Sequence, residues 1–336
     1  MRVTVFGGGS WGTALAQVLA YSTETAGPVN LLVRDAEAAK NINERHENSR
    51  YLPGLRLHED IRAVLGPEIL RESDIWVLSV PVQNQRKALE DVRQFLGDGT
   101  IIVNSSKGIE LSSLLPLSVT VREALGDPPS FNSRYATLSG PSFAKEVLGS
   151  KPTAVVLGCA DAELGAYLRK VFATGWFRSY SSLDVRGVEL GGAVKNVIAI
   201  AAGVSDGLDF GHNARAALIT RGLAEITRLG ISMGAQQATF MGLSGIGDLM
   251  LTCTGDLSRN RQVGLRLGQG QSPAEIVGGL GSVAEGVKTT EAVHKLAKKH
   301  GVEMPITASM DALLNGILDP AQAVKDLMSR SLKSEI

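Results

Sequence analysis

One lysine stands in a stretch that is apolar almost all the way round: Val188-Glu189-Leu190-Gly191-Gly192-Ala193-Val194-Lys195-Asn196-Val197-Ile198-Ala199-Ile200-Ala201-Ala202-Gly203. A helix with apolar residues on every face is normally buried. An ammonium placed there loses its water, which is costly unless the group is paired or discharged. Desolvation also lowers a lysine pKa, so the amine becomes a usable proton carrier near neutrality. Lys195 is therefore the candidate acid–base group. The structural alternative places Lys195 at the helix edge, with its stem on apolar surface and its amine in solvent.

A second pattern opens the chain. A short apolar run, residues 2–6, leads into Gly7-Gly8-Gly9-Ser10-Trp11-Gly12, and residues 13–21 follow as an Ala- and Leu-rich helix. In the dinucleotide fold such a strand, glycine turn and helix divide the work. Gly7 makes the turn, Gly9 lets backbone approach a pyrophosphate, and Gly12 lets helix pack on strand. The helix start then offers N–H groups and positive dipole to the phosphates. The next strand, residues 29–33, ends in Arg34-Asp35, about where an acidic residue grips the ribose 2′-OH. Arginine there can fork onto a 2′-phosphate, which favours NADP(H), while Asp35 beside it keeps NAD(H) open.

Further β-α alternation runs through residues 75–80, a helix over 83–95, and strands at 101–103 and 135–138. These runs end in Asn104-Ser105-Ser106-Lys107-Gly108 and Ser139-Gly140-Pro141-Ser142. Ligands bind at this carboxyl edge of an open parallel sheet, which makes Lys107 and Ser142 candidates to face the nicotinamide end. A loop lysine and a helix-capping serine are their ordinary readings. Strands at 153–157 and 177–180, with a helix over 161–172 between them, extend the sheet. From residue 184 helical periodicity takes over, with clear segments at 213–229, 289–300 and 320–329. The expected architecture is α/β: a Rossmann dinucleotide-binding domain over 1–187, then an all-α domain over 188–336. In the helical half, Asp248 could orient an ammonium. Ser258-Arg259-Asn260-Arg261, at a helix start, resembles a phosphate or carboxylate cradle. A capping serine flanked by surface arginines is the plain alternative.

Composition narrows the classes. Lysine plus arginine equal aspartate plus glutamate at 34 each in 336 residues, so nothing argues for nucleic acid or an acidic membrane as partner. The two cysteines, Cys159 and Cys253, lie far apart and without metal-ligand spacing, so no metal site or disulfide framework is expected. The N-terminal residues enter a strand directly, without the pattern of a secretory leader. No stretch is expected to reach the length of a membrane span, since Lys195, Asp206 or glycine interrupts the apolar segments. The expectation is a soluble, cytoplasmic protein without membrane insertion.

Taken together these blocks resemble the bacterial-type NAD(P)-dependent glycerol-3-phosphate dehydrogenases. The resemblance runs nearly end to end: 7–12 with Ser10-Trp11, 43–54 with Tyr51-Leu52-Pro53-Gly54, 105–109, 138–143, 191–196, 245–248, 258–260 and 283–286. It implies reversible hydride transfer between NADP(H) or NAD(H) and the pair dihydroxyacetone phosphate and sn-glycerol 3-phosphate, in a homodimer that supplies phospholipid synthesis. It places Ser10, Trp11, Arg34, Tyr51, Lys107, Ala144, Arg259, Val283 and Glu285 at the cofactor. Around the substrate it places Lys107, Gly140, Ser142, Lys195, Asp248, Ser258, Arg259 and Asn260, with Lys195 as proton acceptor in the oxidation direction. Dehydrogenases of β-hydroxyacids or 6-phosphogluconate share the two-part layout but need carboxylate recognition. A non-catalytic NADP-binding sensor would have no use for a lysine in an apolar helix.

Overall fold

The structure is a computed structural model that describes residues 1–279 and 285–328. Eight strands form one sheet: β1 (Val3–Phe6), β2 (Val29–Leu32), β3 (Ile61–Val64), β4 (Ile75–Leu78), β5 (Ile101–Asn104), β6 (Tyr135–Ser139), β7 (Thr153–Cys159) and β8 (Phe177–Ser182). Their spatial order is β3-β2-β1-β4-β5-β6-β7-β8. The first six run parallel, so their carboxyl ends share one edge. The inner strands are apolar on both faces because helices cover both sides; in β4 all four residues are buried.

Two features depart from the sequence reading. The first is β3, which lies where no strand was marked. It is a short outer strand with Ile61 and Ala63 buried and Arg62 exposed, so only half its residues are buried and the charge breaks its apolar run. The second is the reversal of β7, which runs antiparallel to β6. The turn starts at Gly140, whose φ of +131° lies in the region that favours glycine. A Cβ there would stand 2.9 Å from Val155 Cα, so the missing side chain lets β7 return close beside β6.

Strand β8 ends at Ser182, and a 23-residue helix, Val185–Gly207, begins three residues later. Asp184 caps it by accepting a hydrogen bond from Gly187 N at 2.9 Å. Every residue from Gly187 to Ser205 is buried. Contrary to the sequence expectation, this helix is long and apolar enough to cross a membrane, and its most apolar window has a mean hydropathy of 1.4. The helix carries four charged residues, Arg186, Glu189, Lys195 and Asp206, yet they leave an 18-residue window that is apolar on average. The whole window is buried inside the protein, beneath β6, β7 and the helices Gly211–Ser232, Asp248–Thr254, Arg259–Gly268 and Glu285–Lys299.

The closest of these packings is with Arg259–Gly268, and glycine makes it possible. A Cβ on Gly264 would lie 1.9 Å from Ile200 O, and one on Gly203 would lie 2.0 Å from Arg261 O. The two backbones therefore touch with no side chain between them. Because Arg259–Gly268 begins with the segment Ser258-Arg259-Asn260, this contact fixes that segment against the helix carrying Lys195. Gly264→Ala is expected to force the helices apart and to destabilise the protein by about 1–3 kcal/mol, the usual cost of overpacking, as read from urea denaturation.

Candidate active site

At the carboxyl end of β1 the glycines behave as their spacing predicts. Gly7 has φ +122°, and a Cβ on it would lie 2.6 Å from Ser79 O. A Cβ on Gly12 would lie 1.9 Å from Gly7 O, so only glycine lets the helix Ser10–Ala20 seat on the strand. Gly9 has open space beside its Cα, and no side chain caps the helix that starts after it. A bare helix N-terminus beside an open glycine fits a pyrophosphate, since a Cβ on Gly9 would project into the space the phosphates need.

The neighbouring segment is tied to this loop. Asn48 Nδ2 donates to Gly8 O at 3.0 Å and to Thr13 Oγ1 at 2.8 Å, and Ser10 Oγ donates to Tyr51 O at 3.4 Å. Trp11 packs against the sheet's core with its indole nitrogen buried and unpartnered among the described residues. Arg34 and Tyr51 are exposed. Asp35 is already engaged, since it caps the helix Ala36–Arg45 by accepting from Ala38 N at 2.9 Å. Ala144 opens the short helix Ala144–Leu148. Val82 N donates to Glu285 Oε1 at 3.4 Å, joining the residues after β4 to the helix Glu285–Lys299. Burial pushes the Glu285 carboxyl up, against the pull of Arg259. Val283 lies outside the described residues.

Lysines from the two halves of the molecule meet on one carboxylate. Lys195 Nζ donates to Asp248 Oδ1 and, at 2.9 Å, to Thr252 Oγ1. Lys107 Nζ, reaching over from the end of β5, donates to Asp248 Oδ2 at 2.7 Å and to Gly140 O at 3.1 Å. Ser142 Oγ donates to the same Gly140 carbonyl at 2.9 Å, so it braces the loop and does not cap a helix. Lys195 is 6% exposed and Asp248 1%, which rules out the reading in which Lys195 reaches into solvent. Burial lowers the Lys195 pKa to about 7; Asp248 opposes the shift and the Lys107 ammonium adds to it. Burial alone would raise the Asp248 pKa, but the two ammoniums overcome that and hold it below the usual carboxylate range.

Beside this triad lies the segment that opens Arg259–Gly268. Ser258 is its N-cap and accepts from Arg261 N at 3.2 Å, as its ordinary reading had it. Asn260 Oδ1 accepts from Gly286 N at 3.2 Å, which connects the segment to the residue after Glu285. Arg259 lies exposed at the helix start. Capping and anion binding are compatible here, since one capped N–H leaves the rest of the first turn open.

One contributor escaped the sequence reading, and another, Arg261, was placed in the anion cradle but has its guanidinium engaged by carboxylates. Thr252 accepts from Lys195 while its own hydroxyl donates to Asp248 O at 2.6 Å, so its lone pair is turned to the amine. The four-residue spacing of Asp248 and Thr252 on one helix was the available signal. Arg261 ties the phosphate-type segment down: its Nε donates to Asp206 Oδ2 at 2.8 Å, and its Nη1 donates to Asp256 Oδ1 at 2.9 Å. No sequence pattern announces that pairing, because Asp206 lies 55 residues away.

A dinucleotide-type glycine loop at one edge of a parallel sheet, with a buried lysine of lowered pKa opposite, defines a two-part NAD(P)-dependent oxidoreductase acting on a CH–OH group. The comparisons agree. Residues 2–165 match the N-terminal and residues 184–325 the C-terminal domain of NAD-dependent glycerol-3-phosphate dehydrogenase, and the chain belongs to that family. It is 57% identical over 336 residues, the full length of both chains, to glycerol-3-phosphate dehydrogenase [NAD(P)+] of Nitratidesulfovibrio vulgaris. The crystal structure of glycerol-3-phosphate dehydrogenase from Coxiella burnetii superposes with a TM-score of 0.91 at 39% identity, covering 98% of this chain and 99% of that one. D-mandelate dehydrogenase, at 14% identity and a TM-score of 0.60 over 96% of this chain and 100% of that one, shares the fold alone.

Asp248→Asn keeps the shape but removes the charge that two ammoniums share, and it turns an N–H₂ or a neutral oxygen toward each. Breaking such a buried set is expected to cost about 3–5 kcal/mol. The folded pKa of Lys195 lies below its unfolded value, and the variant lowers it further. The folded wild type therefore holds more protons than the folded variant below about 7, so the deficit grows as pH falls. Denaturation near pH 6 and near pH 9 checks this, with the larger loss expected at the lower value.

Proposed function

We propose that the protein interconverts dihydroxyacetone phosphate and sn-glycerol 3-phosphate, with Lys195 as the acid–base group. The observation that carries the reading is the buried Lys195 amine, held by Asp248 and Thr252 within the same charge cluster that Lys107 enters from the sheet edge. When bound, NAD(P)H supplies the hydride that the substrate's C2 accepts. The carbonyl oxygen then gains negative charge and takes a proton from Lys195; in the opposite direction the neutral amine takes the hydroxyl proton. Asp248 and Thr252 engage the Lys195 amine on two sides and leave its third N–H position for the substrate oxygen. Lys107 positions the same oxygen and shares the counter-charge.

Ser258, Arg259 and Asn260 hold the substrate phosphate at the start of their helix. That remote anchor supplies binding energy that fixes C2 for reaction. Gly7, Gly9, Ser10 and Gly12 receive the pyrophosphate, while Trp11, Tyr51, Ala144, Val283 and Glu285 complete the nucleotide site. Arg34 favours NADPH, since Asp35 is occupied as a helix cap. The division into 1–187 and 188–336 then separates a cofactor half from a substrate half. We place the enzyme in the cytoplasm, outside the membrane and as a homodimer, where it supplies glycerol 3-phosphate for phospholipid synthesis. No nucleic acid takes part.

The purified protein is expected to oxidise NADPH with dihydroxyacetone phosphate but not with unphosphorylated dihydroxyacetone, and to reduce NADP+ with sn-glycerol 3-phosphate but not with β-hydroxyacids or 6-phosphogluconate. Lys195→Ala should lower kcat by about 10²-fold or more, the range for a general acid, and Arg259→Ala should mainly raise KM. Near-normal turnover in Lys195→Ala would refute the assignment. Because reduction needs the protonated amine, its kcat should fall as pH rises through about 7, and oxidation should show the opposite limb.

A further inference from the structure

The carboxyl end of β2 holds a cation that the glycine-loop pattern does not predict. Arg50 comes from the loop after Ala36–Arg45, and that loop is fastened to the nucleotide site by Asn48 on Gly8 and Thr13 and by Ser10 on Tyr51. This fastening brings Arg50 Nη1 to 3.4 Å from Asp35 Oδ2. Its guanidinium also stands 5.5 Å from the Tyr51 ring centroid.

Asp35 is thereby engaged on both oxygens, Oδ1 by Ala38 N and Oδ2 by Arg50. A carboxylate so occupied is a poor acceptor for two ribose hydroxyls. Arg34, Arg50 and Asp35 together carry a net charge of +1, and the two arginines present planar forks that match phosphate oxygens. A ribose bearing a 2′-phosphate suits such a place, whereas a ribose with a free hydroxyl gains little from the second cation. We propose that Arg50 is a specificity-determining residue that, with Arg34, clasps the 2′-phosphate of NADP(H). The proposal rests on the reading that the cofactor's adenosine ribose lies at Arg34.

The test is calorimetric binding of adenosine 2′,5′-bisphosphate against ADP to the full-length protein, without turnover. Wild type should prefer the 2′-phosphorylated ligand. Arg50→Ala should weaken that ligand roughly 10-fold or more, as expected for a lost charge-assisted hydrogen bond, and leave ADP within about twofold. Arg50→Lys should recover part of the loss, since it keeps the charge without the fork. The same selective loss should persist in an Asp35→Asn background, where Arg50 no longer serves to neutralise a carboxylate and the cap is kept. Equal weakening of both ligands, no weakening, or disappearance of the effect in Asp35→Asn would overturn the proposal. Failure of the underlying reading looks different: wild type would then bind both ligands alike and Arg34→Ala would change neither. Selective loss in Arg34→Ala with none in Arg50→Ala defeats only the role given to Arg50.

Discussion

The arrangement depends on one negative charge shared by two positive ones in a place that excludes water. Asp248 is nearly inaccessible and receives Lys195 on one oxygen and Lys107 on the other. Lys195 could not be buried this deeply alone, since an isolated ammonium would shed its proton or stay in solvent, whereas Lys107 is only partly buried. Burial chiefly gives Lys195 its character, and the second ammonium on the same carboxylate adds to it. Burial and Lys107 push its proton off while Asp248 holds it on, which leaves the amine near the midpoint of its titration at neutral pH. A reversible proton donor has its greatest use there.

The same charge set joins the two halves of the chain. Lys107 stands at the end of a central strand, whereas Lys195, Asp248 and Thr252 belong to helices. The sheet edge and the helical half therefore meet through buried, directional bonds as well as apolar contact. The reversal at Gly140 serves this junction, since the carbonyl of Gly140 binds Lys107 in the same turn that sends β7 back along the sheet.

Much of this was legible in sequence, and the limits have physical causes. The glycine loop, the lysine in its apolar run and the capping serine each declare themselves locally, by spacing or by contrast with their neighbours. Lys107 is different: its position at a strand end was visible, but its partner lies 141 residues away and no local pattern encodes it. The same holds for Arg261 with Asp206. Strand β3 was missed because an outer strand needs only half its side chains buried. The membrane-length helix was misjudged in the other direction, because its charges look like interruptions yet leave an 18-residue window that is still apolar on average.

The glycine-lined seam between Val185–Gly207 and Arg259–Gly268 has one more consequence. Two helices that touch through main chain alone have no rotamers at the contact with which to adjust their spacing. If the amine on one helix serves the reacting carbon and the first turn of the other grips the phosphate, the seam acts as a ruler whose length is set by backbone radii. Molecules one carbon longer or shorter would be rejected by measurement alone, without any residue having to recognise the difference.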